Sequence, residues 1–269
     1  MTAISSKCGC GLPSDGFASC SAPVRLLGVD FAGLRADEVL DRLAARPAES
    51  PFDYVVTPNA DHLIRLSARP ELEPLYAAAA LRLLDSRVVA RLARLFGLPA
   101  PPVVPGSDLT AALFERGVIA PEDPLAVLGG TEDIAAGLRA RYGLTRLAHH
   151  NPPMGFDRDP AALETAIRFL EDNPARFAFL AVGSPKQEIV AEALVRRGKA
   201  TGVGLCIGSS LRFLTGIERR APRPVQRVGL EWAWRLAHNP RRLARRYLVD
   251  SPQIVRLLWH EARRARGAA

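Results

Sequence analysis

The chain repeats one unit, in which a short apolar run ends in a small polar turn and then restarts as a segment with helical periodicity. The units are VRLLGVDF before ADEVLDRLAA, DYVVTPNA before DHLIRLSA, LRLLDS before RVVARLARLFG, PLAVLGGTE before DIAAGLRARYG, and FAFLAVGSP before KQEIVAEALVRRG, and TGVGLCIGSS closes the series. Apolar runs that alternate with helices are typical of parallel strands joined by crossover helices. The sequence therefore predicts an α/β fold, a mostly parallel sheet with helices on both faces.

The polar turns of these units all follow the predicted strands, so they should share one edge of the sheet. Sheets of this kind bind ligands beyond the carboxyl ends of their strands. The irregular stretch 149–160, which begins with His149 and His150, is predicted to be a loop near that edge. The residues expected to line one crevice there are Thr57, Asn59, Asp85, Gly129, Gly130, Thr131, Ser184, Lys186, Gln187 and Ser209.

The turn VGSPKQE fits two interpretations. Ser184 is a good helix N-cap, Pro185 suits the first helical position, and Gln187 would complete a capping box. Alternatively, the start of the helix presents free N–H groups, a partial positive charge and Lys186, which together suit a phosphate. The turn by itself leaves both open.

Composition places the chain among ordinary globular proteins, with 269 residues of which 48% are hydrophobic and 24% charged. No apolar run approaches the roughly 20 residues of a membrane-spanning helix, and the first residues lack the order of a secretory signal. We expect a cytoplasmic protein with a disordered leader over residues 1–22. Three cysteines of that leader (Cys8, Cys10 and Cys20) and Cys206 lack the spacing and partners of a metal site, so free thiols are predicted.

The net charge of +8 is concentrated at the C-terminal end of the chain. Residues 219–269 contain thirteen arginines against three acidic residues, Glu231, Asp250 and Glu261. The other residues together are close to neutral. A basic end on a near-neutral body predicts a polyanionic partner, with nucleic acid and an anionic membrane face as the two obvious classes.

The same end has amphipathic character. Asn239 and Pro240 form the cap and first turn of a predicted helix, RRLARRYLV, with apolar residues on one face and arginines on the other. Another helix is predicted after Ser251 and Pro252. Trp232 and Trp234 are of a type common where apolar and aqueous phases meet. Together these features suit a membrane interface, with a solvated charged face as the alternative.

Several stretches together resemble the WecG/TagA/CpsF family of glycosyltransferases, which build bacterial surface and exported polysaccharides. They are VVTPNADHLIRL, LRLLDSRVVARLARLFG, GSDL, VLGG, NPPMGF, AVGSPKQE, GSSLRFLTG and RRAPRPVQRVGLEWAWRLAHNPRRLARRYL, in family order. The resemblance implies an inverting enzyme that moves a sugar from a nucleotide-sugar, with UDP as the expected nucleotide, to an undecaprenyl-diphosphate-linked sugar. It also implies a Rossmann-like body, over residues 23–218, and a basic helical appendage, over residues 219–269, that binds the lipid diphosphate at the inner face of the membrane.

The resemblance also implies catalytic residues. Inversion by single displacement needs a base near the acceptor hydroxyl and positive groups near the leaving diphosphate. Asp85 matches the family's presumed base, with a helix N-cap as its alternative role. Thr57 and Asn59 match a Thr-x-Asn turn that would hold a sugar, with ordinary turn chemistry as the alternative. Gln187 matches a family glutamine placed to touch the nucleotide-sugar.

The expected ligand-binding residues form two groups. Those assigned to the nucleotide-sugar are Gly129, Gly130, Thr131, Gly183, Ser184, Lys186, Gln187 and Glu188, and those assigned to the acceptor diphosphate are Arg235, Arg241, Arg242, Arg245 and Arg246. Neither a cofactor nor a metal is expected. Asp157, Arg158 and Asp159 spell the Asp-x-Asp sequence that holds a metal in many glycosyltransferases, but they lie outside the family motifs.

This chain departs from the family pattern at three places. Ser86 and Arg87 stand where small glycines usually follow the base, which predicts a different loop shape. A basic residue is common where this chain has Val103 and Val104. Arg212 stands where many members have an aspartate, which predicts a different donor or acceptor sugar.

Two other functions fit parts of the sequence. A nucleic-acid-binding protein would use the Arg-rich end on a phosphate backbone, although no recognised DNA or RNA motif accompanies it and the polar strand ends would be unexplained. A catalytically silent scaffold of the family would keep the body without a working base, and the changed residues next to Asp85 allow this.

Overall fold

The computed structural model of the protein describes residues 22–218, 221–222, 225, 230–238, 240–245 and 251–267. The strands are β1 (Val24–Leu26), β2 (Val29–Phe31), β3 (Asp53–Val56), β4 (Leu81–Arg82), β5 (Leu125–Leu128), β6 (Leu147–His150), β7 (Phe177–Leu180) and β8 (Val203–Cys206). The α-helices are α1 (Ala36–Ala45), α2 (Ala60–Ala68), α3 (Glu73–Ala77), α4 (Arg87–Leu95), α5 (Gly106–Glu115), α6 (Glu132–Tyr142), α7 (Pro160–Asp172), α8 (Lys186–Arg197), α9 (Ser210–Leu214), α10 (Glu231–His238), α11 (Pro240–Arg245) and α12 (Gln253–Gly267). Short 3₁₀ helices cover Pro70–Leu72 and Phe156–Arg158.

Six of these strands form one parallel sheet in the order β4-β3-β8-β7-β5-β6. The register places the last residues of the neighbouring strands β3, β8, β7, β5 and β6 in one row, which consists of Val56, Cys206, Leu180, Leu128 and His150. The chain therefore leaves these strands at the same edge. The predicted Rossmann-like α/β fold, a mostly parallel sheet with helices on both faces, is confirmed.

Two helix layers cover the two faces of the sheet. Because successive side chains of a strand point to opposite faces, Tyr54 and Ala178 pack with α2, α4, α7 and α8, whereas Val55 and Phe179 pack with α1, α5, α6 and α9. Strands β7 and β8 are buried along their whole length. Burial on both faces explains why these strands are continuous apolar runs in the sequence.

Two segments differ from the sequence prediction. VRLLGVDF, predicted to be a strand of the sheet, forms the antiparallel hairpin β1–β2, with Leu27 (φ 49°) and Gly28 (φ 80°) at its turn. Two successive positive φ values suit a two-residue hairpin turn. His149 and His150, predicted to begin a loop, end the edge strand β6, which is half-buried throughout and therefore carries a weaker apolar pattern.

The last helix, α12, packs on the body. Ile254 and Leu258 are 3% and 0% exposed and belong to the core that α2 and α4 cover. Glu261 Oε2 accepts a hydrogen bond from the backbone N–H of Leu27 at 2.8 Å, and Arg266 Nη2 donates to the carbonyl oxygen of Phe96 at 3.1 Å. A helix from the predicted appendage thus completes one layer of the α/β body, while the boundary at residue 219 stays a prediction.

The N-terminal leader, apart from Ala22, lies outside the described residues, as do Cys8, Cys10 and Cys20. Cys206 is a buried free thiol. In the part of the chain that the structure describes, no helix is both long and apolar enough to cross a bilayer.

Candidate active site

A cavity of about 330 Å³ lies at the carboxyl edge of the sheet, between the turns that follow β5, β7 and β8. Three of its lining residues, Gly130, Gly183 and Gly208, have φ values of 79°, 79° and 53°, in the left-handed region that favours glycine. The remaining lining residues are Ile134, Ala181, Val182, Ser209, Leu211 and Arg212. The cavity therefore lies at the predicted edge of the sheet, but only Gly130 and Ser209 of the ten residues predicted to line a crevice there are in its wall.

Gly129 allows the turns after β5 and β7 to approach each other closely. Its φ is 97°, and a Cβ at this position would lie 2.7 Å from Val182 Cγ1 and 2.9 Å from the carbonyl carbon of Ala181. Any side chain here would push the two turns apart. The backbone therefore requires glycine at Gly129, the first position of the glycine pair in the VLGG motif.

His149 supports the same glycine turn from the neighbouring strand. Its Nε2 lies 3.2 Å from the carbonyl oxygens of Gly129 and Gly130, and its Nδ1 lies 2.9 Å from Glu132 Oε2. The side chain of His149 is 7% exposed. The sequence analysis missed this contact because it placed His149 in a loop. Assigning a short edge strand to the residues before Asn151 would have placed His149 beside the glycine turn.

Gln187 joins two walls of the cavity. Its side-chain oxygen accepts a hydrogen bond from the backbone N–H of Gly208 at 3.0 Å, and its Nε2 donates to Glu188 Oε1 at 2.9 Å. The residue is 3% exposed. Both ends of the amide are therefore bonded within the protein, which gives Gln187 a positioning role behind the cavity, while its predicted contact with the nucleotide-sugar stays a prediction.

Ser184 does not cap α8, and the predicted capping box of Ser184 and Gln187 is wrong. The helix begins at Lys186, with Pro185 in the capping position. Ser184 Oγ instead accepts a hydrogen bond from Arg65 Nη1 at 3.0 Å and lies 3.0 Å from the Tyr76 hydroxyl. The Ser184 side chain therefore bonds to residues of α2 and α3, and a local sequence pattern does not reveal these distant partners.

Glu188 lies beneath this turn and is 1% exposed. Burial raises the pKa of its carboxyl group, against the lowering effect of hydrogen bonds from Gln187, its own backbone and Ser184 and of the positive charge of Arg65. We call Glu188, Ser184, Tyr76 and Arg65 the buried polar cluster. This cluster fixes the turn after β7. It lies on one face of the sheet, whereas α6 and α9, which line the cavity, lie on the other face.

The Thr-x-Asn turn follows β3 at the same edge. Thr57 is 9% exposed, and its Oγ1 lies within 3.4 Å of the carbonyl oxygen of Cys206, to which it donates. A Cβ on Gly106, the first residue of α5, would lie 2.7 Å from that hydroxyl. Asn59 caps α2, since its Oδ1 accepts from the backbone N–H of Asp61 at 3.0 Å. Turn chemistry is thus present at Asn59, and sugar binding by Thr57 and Asn59 stays a prediction.

Asp85 lies in the next loop, after β4, and is half-buried. Its backbone N–H donates to the carbonyl oxygen of Pro58 at 2.9 Å, which fixes it beside the Thr-x-Asn turn. Ser86, rather than Asp85, caps α4, because Ser86 Oγ accepts from the backbone N–H of Val89 at 3.2 Å. The alternative role of Asp85 as a helix cap is therefore wrong.

Backbone and side-chain contacts connect Asp85 with Gln187 across four neighbouring strands. Asp85 bonds to Pro58, the adjacent Thr57 bonds to Cys206, and the loop after Cys206 bonds to Gln187 through Gly208. These loops follow β4, β3, β8 and β7, which are adjacent in the sheet. The predicted base and the cavity therefore share one edge of the sheet.

Lys186 and Thr131 lie at helix starts on this edge. Lys186 Nζ is 5.9 Å from the centre of the Phe156 ring and 4.0 Å from Met154 Sδ, so the NPPMGF loop packs beside the start of α8. Thr131 occupies the capping position of α6 and is exposed.

Asp159, the second carboxylate of the Asp-x-Asp sequence, caps α7 through the backbone N–H of Ala161 at 3.0 Å.

Four of the five arginines assigned to the acceptor diphosphate lie on two short helices. Arg235 is on α10, and Arg241, Arg242 and Arg245 are on α11. Arg241 is exposed. Arg246 and Asn239 lie outside the described residues.

A parallel α/β sheet with a glycine-rich cavity at its carboxyl edge is an architecture that many nucleotide-binding enzymes share. Within that class the sequence gives a specific match, because residues 24–268 match the Glycosyl transferase WecG/TagA/CpsF family. The match spans nearly the whole chain, and this protein belongs to that family. Membership makes it a glycosyltransferase of polysaccharide biosynthesis, a class whose substrates are a nucleotide-sugar and a sugar-linked acceptor.

Proposed function

We propose that this protein is an inverting glycosyltransferase that moves a sugar from a UDP-sugar to a sugar linked to undecaprenyl diphosphate. One observation carries the proposal: the loop of Asp85 and the cavity lie at the same edge of the sheet, connected through Pro58, Thr57 and Gly208. A donor in the cavity and an acceptor beside Asp85 would meet along that edge.

In the proposed reaction an acceptor hydroxyl oxygen attacks the anomeric carbon of the donor sugar. Asp85 takes the hydroxyl proton while the bond between the anomeric carbon and the diphosphate oxygen breaks, and UDP leaves with the electron pair. A single displacement inverts the anomeric centre. The glycine turns at 129–130 and 183 bind the donor, Lys186 adds positive charge near the leaving group, and Gln187 and Glu188 hold these turns from behind.

The proposed acceptor site uses the basic C-terminal helices. The five arginines at 235, 241, 242, 245 and 246 would bind the lipid diphosphate, because guanidinium groups match phosphate oxygens. Leu230 and Trp232, which shortly precede Arg235 in the sequence, are 47% and 38% exposed. Exposed apolar side chains in an arginine-rich stretch of the sequence support a peripheral position on the anionic inner face of the membrane.

Transfer assays test the enzymatic part. Labelled UDP-sugars and sugar-diphospho-undecaprenyl acceptors are incubated with the wild type, Asp85→Asn and the matched control Asp157→Asn. Loss of a general base predicts a fall in kcat of about 100- to 10,000-fold for Asp85→Asn and little change for the control. EDTA should not stop the reaction. Equal transfer by Asp85→Asn would remove Asp85 from the mechanism, and no transfer by the wild type would favour the scaffold.

Vesicle binding tests the membrane part. Deletion beyond residue 220 would also remove Ile254 and Leu258 from the core, so substitution is the sharper tool. The variant replaces the five C-terminal arginines by glutamine, and its control replaces the exposed arginines at 25, 69, 116, 146 and 168. The first should lose sedimentation with phosphatidylglycerol vesicles and the second should keep it. Equal sedimentation of both variants would defeat the membrane role, and arginine-dependent binding of RNA or DNA in place of vesicles would favour the nucleic-acid class.

A further inference from the structure

The cavity contains one charged side chain among the described residues that line it. Its other lining residues are glycine, serine or apolar residues, and Arg212 enters from α9. The sequence marks the same position as a departure, because an arginine stands where an aspartate is common in the family. An arginine on a cavity wall whose other lining residues are uncharged is the group there that can bind an anion.

Glu218 contacts Arg212 through an ion pair and a backbone hydrogen bond. Arg212 Nε lies 3.4 Å from Glu218 Oε2, and the backbone N–H of Glu218 donates to the carbonyl oxygen of Arg212 at 3.1 Å. The side chain of Glu218 is 12% exposed, whereas that of Arg212 is 40% exposed. The carboxylate thus forms an ion pair on the Nε side of the guanidinium, without a hydrogen bond to Nε, while part of the arginine side chain remains exposed.

The chemistry of the guanidinium narrows the ligand group. Its planar set of N–H donors matches two oxygens of a phosphate or a carboxylate, in a way that a neutral hydroxyl does not. The walls at Ile134, Val182 and Leu211 are apolar, which reduces competition by water for this contact. A phosphate or a carboxylate, each with two oxygens that can accept from the guanidinium, is therefore the best partner for Arg212.

We propose that Arg212 is a substrate-binding residue that contacts anionic oxygens of the donor. The inference rests on the proposed function, because it takes the cavity as the donor site. Two parts of a donor carry such oxygens: the diphosphate, which every nucleotide-sugar has, and a carboxylate on the transferred sugar, which only a uronic acid donor has.

Calorimetric titration of the full chain separates these sources. The probes are uridine, UDP, UDP-glucose and UDP-glucuronate, and the proteins are the wild type, Arg212→Gln, Arg212→Lys and the control Arg146→Gln, which removes an exposed arginine before β6, at the opposite edge of the sheet. Loss of a hydrogen-bonded charge predicts a fall in affinity of about 10- to 100-fold for Arg212→Gln. Arg212→Lys should recover part of it, and Arg146→Gln should match the wild type.

The pattern across probes identifies the contacted oxygens. If Arg212 binds the diphosphate, UDP and both sugar nucleotides weaken together and uridine does not change. If it binds a sugar carboxylate, UDP-glucuronate alone weakens. Unchanged affinity of Arg212→Gln for every probe, with normal binding by the wild type, would overturn this inference alone. Failure of the wild type to bind any of the UDP compounds would overturn the proposed donor as well.

Stability is the necessary control for Arg212→Gln, because the substitution leaves the poorly exposed carboxylate of Glu218 without this partner. The double variant Arg212→Gln/Glu218→Gln removes both charges. If the single variant unfolds, the double variant should fold and show the same pattern of affinities. Wild-type affinities in the folded double variant would likewise overturn the inference.

Discussion

The backbone N–H of Gly208 donates to Gln187 Oε1 at 3.0 Å, and this bond ties the loop after β8 to the start of α8. The other end of the amide donates to Glu188, so the orientation of Gln187 is fixed by both partners. Two cavity walls that come from separate turns are thus held together by one buried side chain.

Gln187→Ala should lower the free energy of unfolding by about 1–3 kcal/mol, because it leaves the N–H of Gly208 and a carboxylate oxygen of Glu188 without these bonds. Affinity for UDP should fall as well, since the wall at Gly208 loses its support. Urea denaturation and calorimetry measure the two effects. Gln253→Ala, at an exposed position of α12, is the matched control. Unchanged stability of Gln187→Ala would contradict the positioning role.

The difference in the free energy of unfolding between Glu188→Gln and the wild type should depend on pH. Burial raises the pKa of its carboxyl group above the value of 4.5 for a free group. The folded state therefore binds this proton more tightly than the unfolded state, and the associated stability is lost as the pH rises through the folded pKa. Glu188→Gln removes that titration. The free energy of unfolding of Glu188→Gln minus that of the wild type should thus increase as the pH rises above about 4.5.

Urea denaturation at a series of pH values between about 4 and 8 tests this sign. Glu192→Gln, at a partly exposed position of the same helix, is the matched control for the change from carboxylate to amide. A difference for Glu188→Gln that stays constant or decreases with pH would show that the carboxylate is not disfavoured in the folded state.

The fold could be predicted where one local pattern determines it. The runs that became β7 and β8 are continuous because both faces are covered, and their following turns had to reach one edge. The prediction failed at the margins. VRLLGVDF has the apolar content of a strand but turns at Leu27 and Gly28, and β6 is an edge strand with two histidines.

The site could be predicted only as far as its edge. The sequence places Asp85, Thr57 and Gln187 in turns after predicted strands, but it does not reveal the residues that these turns contact. Ser184 bonds to Arg65 and Tyr76, which are 119 and 108 positions away in the chain. Local propensity favoured a helix cap at Ser184, and tertiary contacts overrode it.

A pair of glycine substitutions separates backbone strain from steric conflict. Gly183→Ala adds a side chain at φ 79° with nothing within 4 Å, so it should cost about 1–2 kcal/mol from the left-handed backbone alone. Gly129→Ala adds contacts of 2.7 Å to Val182 and 2.9 Å to Ala181, and overpacking should add about 1–3 kcal/mol. Urea denaturation of both variants measures the difference. Equal costs would mean that the turns after β5 and β7 can separate freely.

Leu258 provides a test of how the basic C-terminal segment relates to the body. It is 0% exposed and lies in the core beneath α2 and α4, so Leu258→Ala should lower the free energy of unfolding by about 2–5 kcal/mol. Val255, on the same helix, is 41% exposed, and Val255→Ala should change the free energy by no more than about 0.5 kcal/mol. Because α12 completes a layer over the sheet, the loss should appear in the single transition of the whole body. A separate early transition in Leu258→Ala, with the main transition unchanged, would instead show that residues beyond 219 unfold as an independent appendage.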